Sequence, residues 1–458
     1  MTSKAKFNPG TAQVQDMTEG SLVRLILMFA SPLVIGNIFQ QVYSMVDTMV
    51  VGYHLGDPAI AAIGATSSLY SLLINFAGGL NNGYGIVVTQ RFGAHEEKAM
   101  KQAIAGMMLL DGIAAIGLSV LALTFLRPLM RFMNTPAAIF EDAYIYIAII
   151  AGGMTATVAY NMFAAILRAM GNSRSPLYFL ILSSLLNIVM DVLFVMVFEM
   201  GIGGAAIATV LAQAVSAVSC GIYVLRNYRE YLPGKADFLV PKATLSSLFS
   251  TGIAMALMSS LVDLGSVIFQ RANNVLGEAV IAAHAAARKI LVIMIQPQAT
   301  IAVATSTFVG QNWGAKKAER IQSTLKKSLL LELAWGCFAT TAVYLFGSQL
   351  VRFTTGTSDA AVIKNAVLSL RIHFSMFPIL GILFCIRNAL QAMGQKLVPV
   401  LSSCIELAMK ILSASVLIPR LGFLGTCMTE PITWGLMVAF LMSFYLTRRE
   451  KLFAPLYE

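Results

Sequence analysis

Charge is what this chain has least of. Of its 458 residues only 12% are Asp, Glu, Lys or Arg, where a soluble domain carries about 25%. That is too little to cover a water-facing surface of this size, and it excludes a soluble enzyme. The five cysteines (Cys220, Cys337, Cys385, Cys404, Cys427) are odd in number, lie in apolar stretches and form no CxxC. They read as small buried hydrophobes, not as a zinc site or a disulfide frame. Residues 1–20 are polar with no apolar core, so a cleavable signal peptide is not expected. Strand-like alternation is absent, which excludes a β-barrel. HExxH, paired histidines and DxxxD clusters are absent too, and an intramembrane enzyme such as a prenyl or phosphate transferase would want one of them.

What is present is apolar: 57% of residues. Apolar runs fall at 21–51, 59–89, 103–126, 137–165, 175–198, 203–225, 245–271, 279–309, 326–347, 361–388, 397–419 and 424–446. A span needs roughly 20 apolar residues, so each run is long enough for a helix. The expectation is an all-α integral membrane protein of twelve transmembrane helices. The polar stretch 226–242 is the one good linker and splits the spans six and six. The expected organisation is a cytoplasmic tail (1–20), an N-lobe (21–225), a cytoplasmic linker (226–244), a C-lobe (245–447) and a cytoplasmic C-terminal tail (448–458). With the N-terminus inside, 22 basic residues, Arg168 among them, fall in cytoplasmic segments and 6 on the other side. This bias puts both termini in the cytoplasm of a multi-pass protein of the plasma (inner) membrane. It also accounts for the net charge of +10 without nucleic acid.

The halves repeat. Leu55-Gly56-Asp57 recurs as Leu276-Gly277-Glu278, and Gln90-Arg91-Phe92-Gly93-Ala94 as Gln311-Asn312-Trp313-Gly314-Ala315, both at an offset of 221. Ala169-Met170-Gly171 with Pro176 recurs as Ala392-Met393-Gly394 with Pro399. Six spans per half is an even number, so the two six-helix bundles enter the membrane in the same orientation and are related by a parallel pseudo-two-fold. That is a transporter design with the pathway between the halves.

Three stretches carry a family resemblance over nearly the whole chain. Val46-Asp47-Thr48-Met49-Val50-Val51-Gly52, Leu167-Arg168-Ala169-Met170-Gly171-Asn172-Ser173 and Val309-Gly310-Gln311-Asn312-Trp313-Gly314-Ala315 resemble signatures of the multidrug and toxic compound extrusion (MATE) family. The resemblance implies an antiporter that exports organic cations and other drugs against inward sodium or protons, by alternating access between two lobes. It implies no enzymatic activity and no cofactor, small amphipathic and often cationic substrates, the lipid bilayer as its other partner, and a monomer. The alternative from the same superfamily is a flippase of lipid-linked precursors, which tends to need a cationic cavity for pyrophosphate.

Charges inside spans are costly and usually functional. Asp47 lies near the outer end of span 1, Asp191 in the last third of span 5 with Asn187 one turn earlier, and Thr209 just inside span 6. At about 1.5 Å per residue these reach a similar depth. Their hard oxygens suit sodium, and two adjacent carboxylates suit a shared proton. The alternatives are a snorkelling Asp47 and a structural Asn187–Asp191 hydrogen bond. The resemblance implies that Asp47, Asn187, Asp191 and Thr209 form the cation or proton site, and a possible Na+ site, of the N-lobe. It also implies that Pro32 matches a proline whose helix bends; the residue reads equally as a static kink or a hinge. Gln40, Tyr43 and Asn161 are expected to line the substrate cavity.

The second half departs from sodium-coupled relatives. Val262, with Asp263 adjacent, and Ile382 stand where those carry acids, so the chain looks more like the DinF-like branch. Glu406 and Lys410, four apart, read as a structural ion pair. Asp111, Glu332 and Glu430 either line the cavity or snorkel. His284 reads as a packing histidine. The cluster Asn75, Gly78, Gly79, Asn81, Asn82, Gly83, Gly85 reads as a surface for close helix approach.

Overall fold

The computed structural model describes residues 15–356 and 359–457; of the expected N-terminal tail, residues 1–14 with Lys4 and Lys6 lie outside the described residues. Everything regular among the described residues is helical. In chain order the spans are α1 (Leu22–Leu55), α2 (Asp57–Gly93), α3 (Glu97–Phe132), α4a (Phe140–Gly152) with α4b (Met154–Ala169), α5 (Arg174–Asp191) and α6 (Gly201–Asn227). The second half has α7 (Lys242–Asn273), α8 (Glu278–Gly314), α9 (Ala318–Thr355), α10a (Ala360–Ser375) with α10b (Phe377–Ala392), α11 (Leu397–Leu412) and α12 (Phe423–Phe453). Ten of these, four of them with a short helical continuation, are long and apolar enough to cross a membrane alone. The two bent pairs bring the spans to twelve.

The helices overrun the apolar runs because backbone hydrogen bonding continues into water where hydropathy stops. The third run covers 103–126, whereas α3 extends from Glu97 to Phe132. Likewise α12 continues to Phe453, whose ring is buried in the core of its own lobe, so the segment set aside as a C-terminal tail is largely helix.

The repeat is written into the backbone. α2 and α8 are both 37 residues long. Each follows a glycine at positive φ, Gly56 and Gly277, a conformation that costs an L side chain strain and glycine little. α4a and α4b meet at 46°, α10a and α10b at 48°. A single π-helical stretch follows α5 (Val192–Val197) and another follows α11 (Ser413–Leu417), again 221 residues apart by their first residues. Each half buries its own apolar core, centred on residues such as Met107, Ile166 and Cys220 in the first and Phe374, Leu383 and Met437 in the second.

The halves meet along α2 and α7. A Cβ on Gly83 would lie 2.6 Å from the Gly252 Cα, and one on Gly79 would lie 2.6 Å from the Ala256 Cα. Only missing side chains let these backbones approach so closely, so the glycine cluster of span 2 serves packing as its composition suggested. α1 lies between the lobes: Phe29 and Ala30 share an apolar cluster with Ala304 and Phe308 of α8, and Gly36 faces Leu177 and Leu180 of α5. Pro32 is buried inside α1, which continues through it without a break.

Candidate functional site

α1, α5 and α6 bring four polar residues of the N-lobe together. Asp191 ends the regular part of α5 and is fully buried, with Asn187 buried one turn below it. The π-helical stretch that follows widens the helix there, the kind of local departure that recurs at functional sites. The carboxyls of Asp47 and Asp191 lie within mutual hydrogen-bonding reach. Both Asp191 oxygens and Oδ1 of Asp47 are buried and take no hydrogen bond from a protein donor. Asn187 Nδ2 donates to Thr209 Oγ1 at 3.4 Å, and that hydroxyl donates to the Ala205 carbonyl at 3.1 Å. Asp47 therefore does not snorkel, and Asn187 is bonded to Thr209 instead of to Asp191. Two facing carboxyls disfavour one another's charge, and the arrangement is chemically suited to a shared proton or to a cation between them.

Beside the pair is a cavity of about 90 Å³. Gln40, Tyr43 and Asn161 line it together, as does Thr209. Sequence reasoning missed Tyr70 and Gln213 of the same wall, and Tyr146, whose surroundings include both aspartates and Tyr70.

The C-lobe does not duplicate this site. At an offset of 221, Asp47 and Asp191 correspond to Ile268 and Leu412. Thr209 corresponds to Glu430, whose carboxylate accepts from Arg288 at 2.5 Å and has His373 Nε2 at 3.5 Å. Glu406 and Lys410 form the ion pair their spacing suggested, at 2.8 Å, and Lys410 also donates to Ser266 Oγ at 3.1 Å. Asn75 Nδ2 donates across the lobe boundary to both carboxylate oxygens of Asp263, at 3.0 and 3.2 Å. Of the three acids left open, none snorkels: Glu430 is ion-paired, while Asp111 and Glu332 are buried. Asp111 Oδ1 accepts from Asn81 at 3.1 Å, and both Glu332 oxygens lack a partner. These two acids occupy equivalent places in the repeat. His284 packs edge-on to Phe269, but its Nδ1 is buried without a hydrogen bond.

The ends of α2 and α8 are latched reciprocally. Gln90 Nε2 donates to the Ala392 carbonyl at 2.8 Å, and its repeat partner Gln311 donates to the Ala169 carbonyl at 2.9 Å. A Cβ on Gly93 would lie 1.9 Å from the Gln311 carbonyl oxygen, and one on Gly314 would lie 1.8 Å from that of Gln90. Residues 15–19 strap the same end. The Gln15 amide donates to the Met170 carbonyl, the Met17 amide donates to Gln311 Oε1, and Arg320 donates to the carbonyls of Met17 and Glu19. Towards the opposite ends, past Asn75–Asp263 and the Asn37 Nδ2 to Gln296 Oε1 bond at 2.9 Å, no side-chain hydrogen bond joins the lobes among the described residues.

Comparison with known proteins fits this geometry. The family model MatE matches residues 32–193 and again 253–415, well over half of the chain. The chain belongs to the MATE family. The doubled match reproduces the internal repeat, and the MATE fold accounts for the two lobes. Among curated relatives, the probable multidrug resistance protein YpnP of Bacillus subtilis is 26% identical over 383 residues, covering 83% of this chain and 85% of that protein. Among solved structures, a multidrug resistance MATE family transporter in its outward-facing conformation aligns with a TM-score of 0.88 at 20% identity over 98% and 99% of the two chains. A MATE protein in a bent conformation aligns at 0.89, 21% identity, over 98% and 100%. This MATE protein is a multi-pass membrane transporter.

Proposed function

We propose that this transporter exports amphipathic, often cationic compounds in exchange for inward protons or sodium, with Asp47 and Asp191 as the coupling pair. The observation that carries the reading is the pair itself: two facing, otherwise unpartnered carboxyls beside a cavity with room for part of a small molecule. From the outward-open state a proton or sodium ion reaches the pair and neutralises it. The cationic substrate then loses its electrostatic partner and leaves outward. Reorientation breaks the Gln90 and Gln311 latch and carries the coupling ion inward, where the membrane potential adds about 2.3 kcal/mol per charge per 100 mV. Asn187 and Thr209 supply the further oxygens that a sodium ion would need beside the two carboxylates.

The YpnP relative bears a multidrug resistance name, which supports small-molecule export as the task of this chain. Against the flippase alternative stands the charge distribution. Arg288 and Lys410, two cations within spans of the C-lobe, are each bound to a glutamate, the N-lobe cavity neighbours acids, and the cavity between the lobes is lined by one cation among the described residues, Arg168, too little for a pyrophosphate. The same reading places the protein in the plasma membrane as a monomer with the linker and both termini in the cytoplasm. Reconstitution into liposomes loaded with a fluorescent cationic dye tests it: an imposed proton or sodium gradient should drive dye uphill. Dye movement that ignores both gradients would reject antiport.

A further inference from the structure

Where the lobes meet, directly above the Gln90–Ala392 latch, lies a second cavity of about 140 Å³. It sits close to the pseudo-two-fold, because α2 and α4b of the N-lobe line one side of it and their repeat partners α8 and α10b, joined by α7 of the same C-lobe, line the other. Arg168, which sequence reasoning counted among the cytoplasmic basic residues, is on the last turn of α4b and lines this cavity. Its repeat counterpart Gln391 lines it as well.

The cavity is chemically one-sided. Asn82, Ser306, Thr307 and Asn388 also line it, and no acidic side chain does among the described residues. Thr307 and Asn388 each spend a hydrogen on a carbonyl of their own helix. Arg168, Asn82 and Ser306 make no hydrogen bond or ion pair to the protein among the described residues. A guanidinium stays charged under all accessible conditions and presents five donors. Half-buried at this cavity without a counter-ion from the protein, it is free to pair with an anion brought from outside. One guanidinium matches one carboxylate, whose two oxygens take parallel hydrogen bonds from the planar fork. A diphosphate would ask for more positive charge than this cavity holds.

We propose that Arg168, with Asn82 and Ser306, forms an anion subsite at the floor of the interlobe cavity that takes the carboxylate of an amphipathic substrate. The assignment deepens the transport reading and rests on it for the word substrate; the anion site itself does not.

The test uses the full chain in lipid nanodiscs, in a chloride-free methanesulfonate buffer, with calorimetric titration of benzoate and of its neutral isostere benzamide. Benzoate should bind at least tenfold more tightly than benzamide. R168Q, which installs the residue of the repeat partner, should lose that preference, R168K should keep part of it, and S306A should weaken benzoate a few-fold while leaving the fold intact. Chloride should displace benzoate only at tenfold higher concentration. Equal binding of benzoate and benzamide, or wild-type benzoate affinity in R168Q and S306A, overturns the subsite. Chloride binding more tightly than benzoate overturns the substrate carboxylate as its occupant. Loss of dye transport with benzoate binding intact would count against the transport reading and leave the anion site standing.

Discussion

At the scale of single residues, the account turns on which buried charges have partners. Asp47 and Asp191 have only each other, so removing either charge should remove coupling without unfolding the lobe. D47N and D191N are expected to cut gradient-driven dye efflux to below about a tenth while expression stays near normal, whereas V262A, whose side chain takes no part in the pair, should change it less than twofold. Efflux rates per unit of purified protein check this. Glu430 differs because it neutralises Arg288. Leaving a partly buried guanidinium unpaired costs on the order of 2–4 kcal/mol, so E430Q should unfold at clearly lower temperature, and E430Q with R288Q should recover much of the loss. Glu332 has no charged partner, so E332Q should shift stability by no more than about 1 kcal/mol. The carboxyls were legible in the sequence because a charge in an apolar run stands out. Their company was not: Tyr70 and Tyr146 look like ordinary apolar filler, and Arg168 looks like a cytoplasmic flank until the fold turns it inward.

At the scale of elements, apolar runs marked every span, but their ends and their irregularities were hidden. The break at Gly153 leaves hydropathy uninterrupted and is marked only by the Gly152-Gly153 pair; a Cβ at Gly153 would lie 2.4 Å from Val210. The π-helical stretches after α5 and α11 have no compositional mark. Pro32 is now placed in a continuous helix between lobes. A proline removes one backbone hydrogen bond and lets a span adopt two shapes of similar energy, so P32A should fold and insert normally but transport several-fold more slowly. Wild-type turnover at normal expression would leave the proline a static feature. The latch makes a sharper demand. G314A puts a methyl group where the Gln90 carbonyl sits, so α2 and α8 should separate at that end. Spin labels at Lys98→Cys and Gln322→Cys, in a cysteine-free background, should report a longer distance in G314A than in the parent.

At the scale of the whole molecule, the repeat explains both what is shared and what is not. The two lobes share helix lengths, bends, glycine turns and π-helical stretches, and they close on one another through equivalent glutamines. They differ at the site: an acid pair in the first, an ion pair of Glu430 with Arg288 in the second. In the proposed mechanism this asymmetry would confine the coupling ion to the first lobe, and sequence register alone was enough to see that the second half lacks the pair. If ion and substrate compete for Asp47 and Asp191, their affinities must be linked reciprocally. The most direct measurement is the affinity of a cationic dye for the purified protein, titrated over pH at fixed sodium and over sodium at fixed pH. Dye affinity should fall as pH falls or sodium rises in the wild type, and D47N and D191N should bind dye weakly with neither dependence. Dye binding that shows the same pH and sodium dependence in wild type and in both variants would contradict the account.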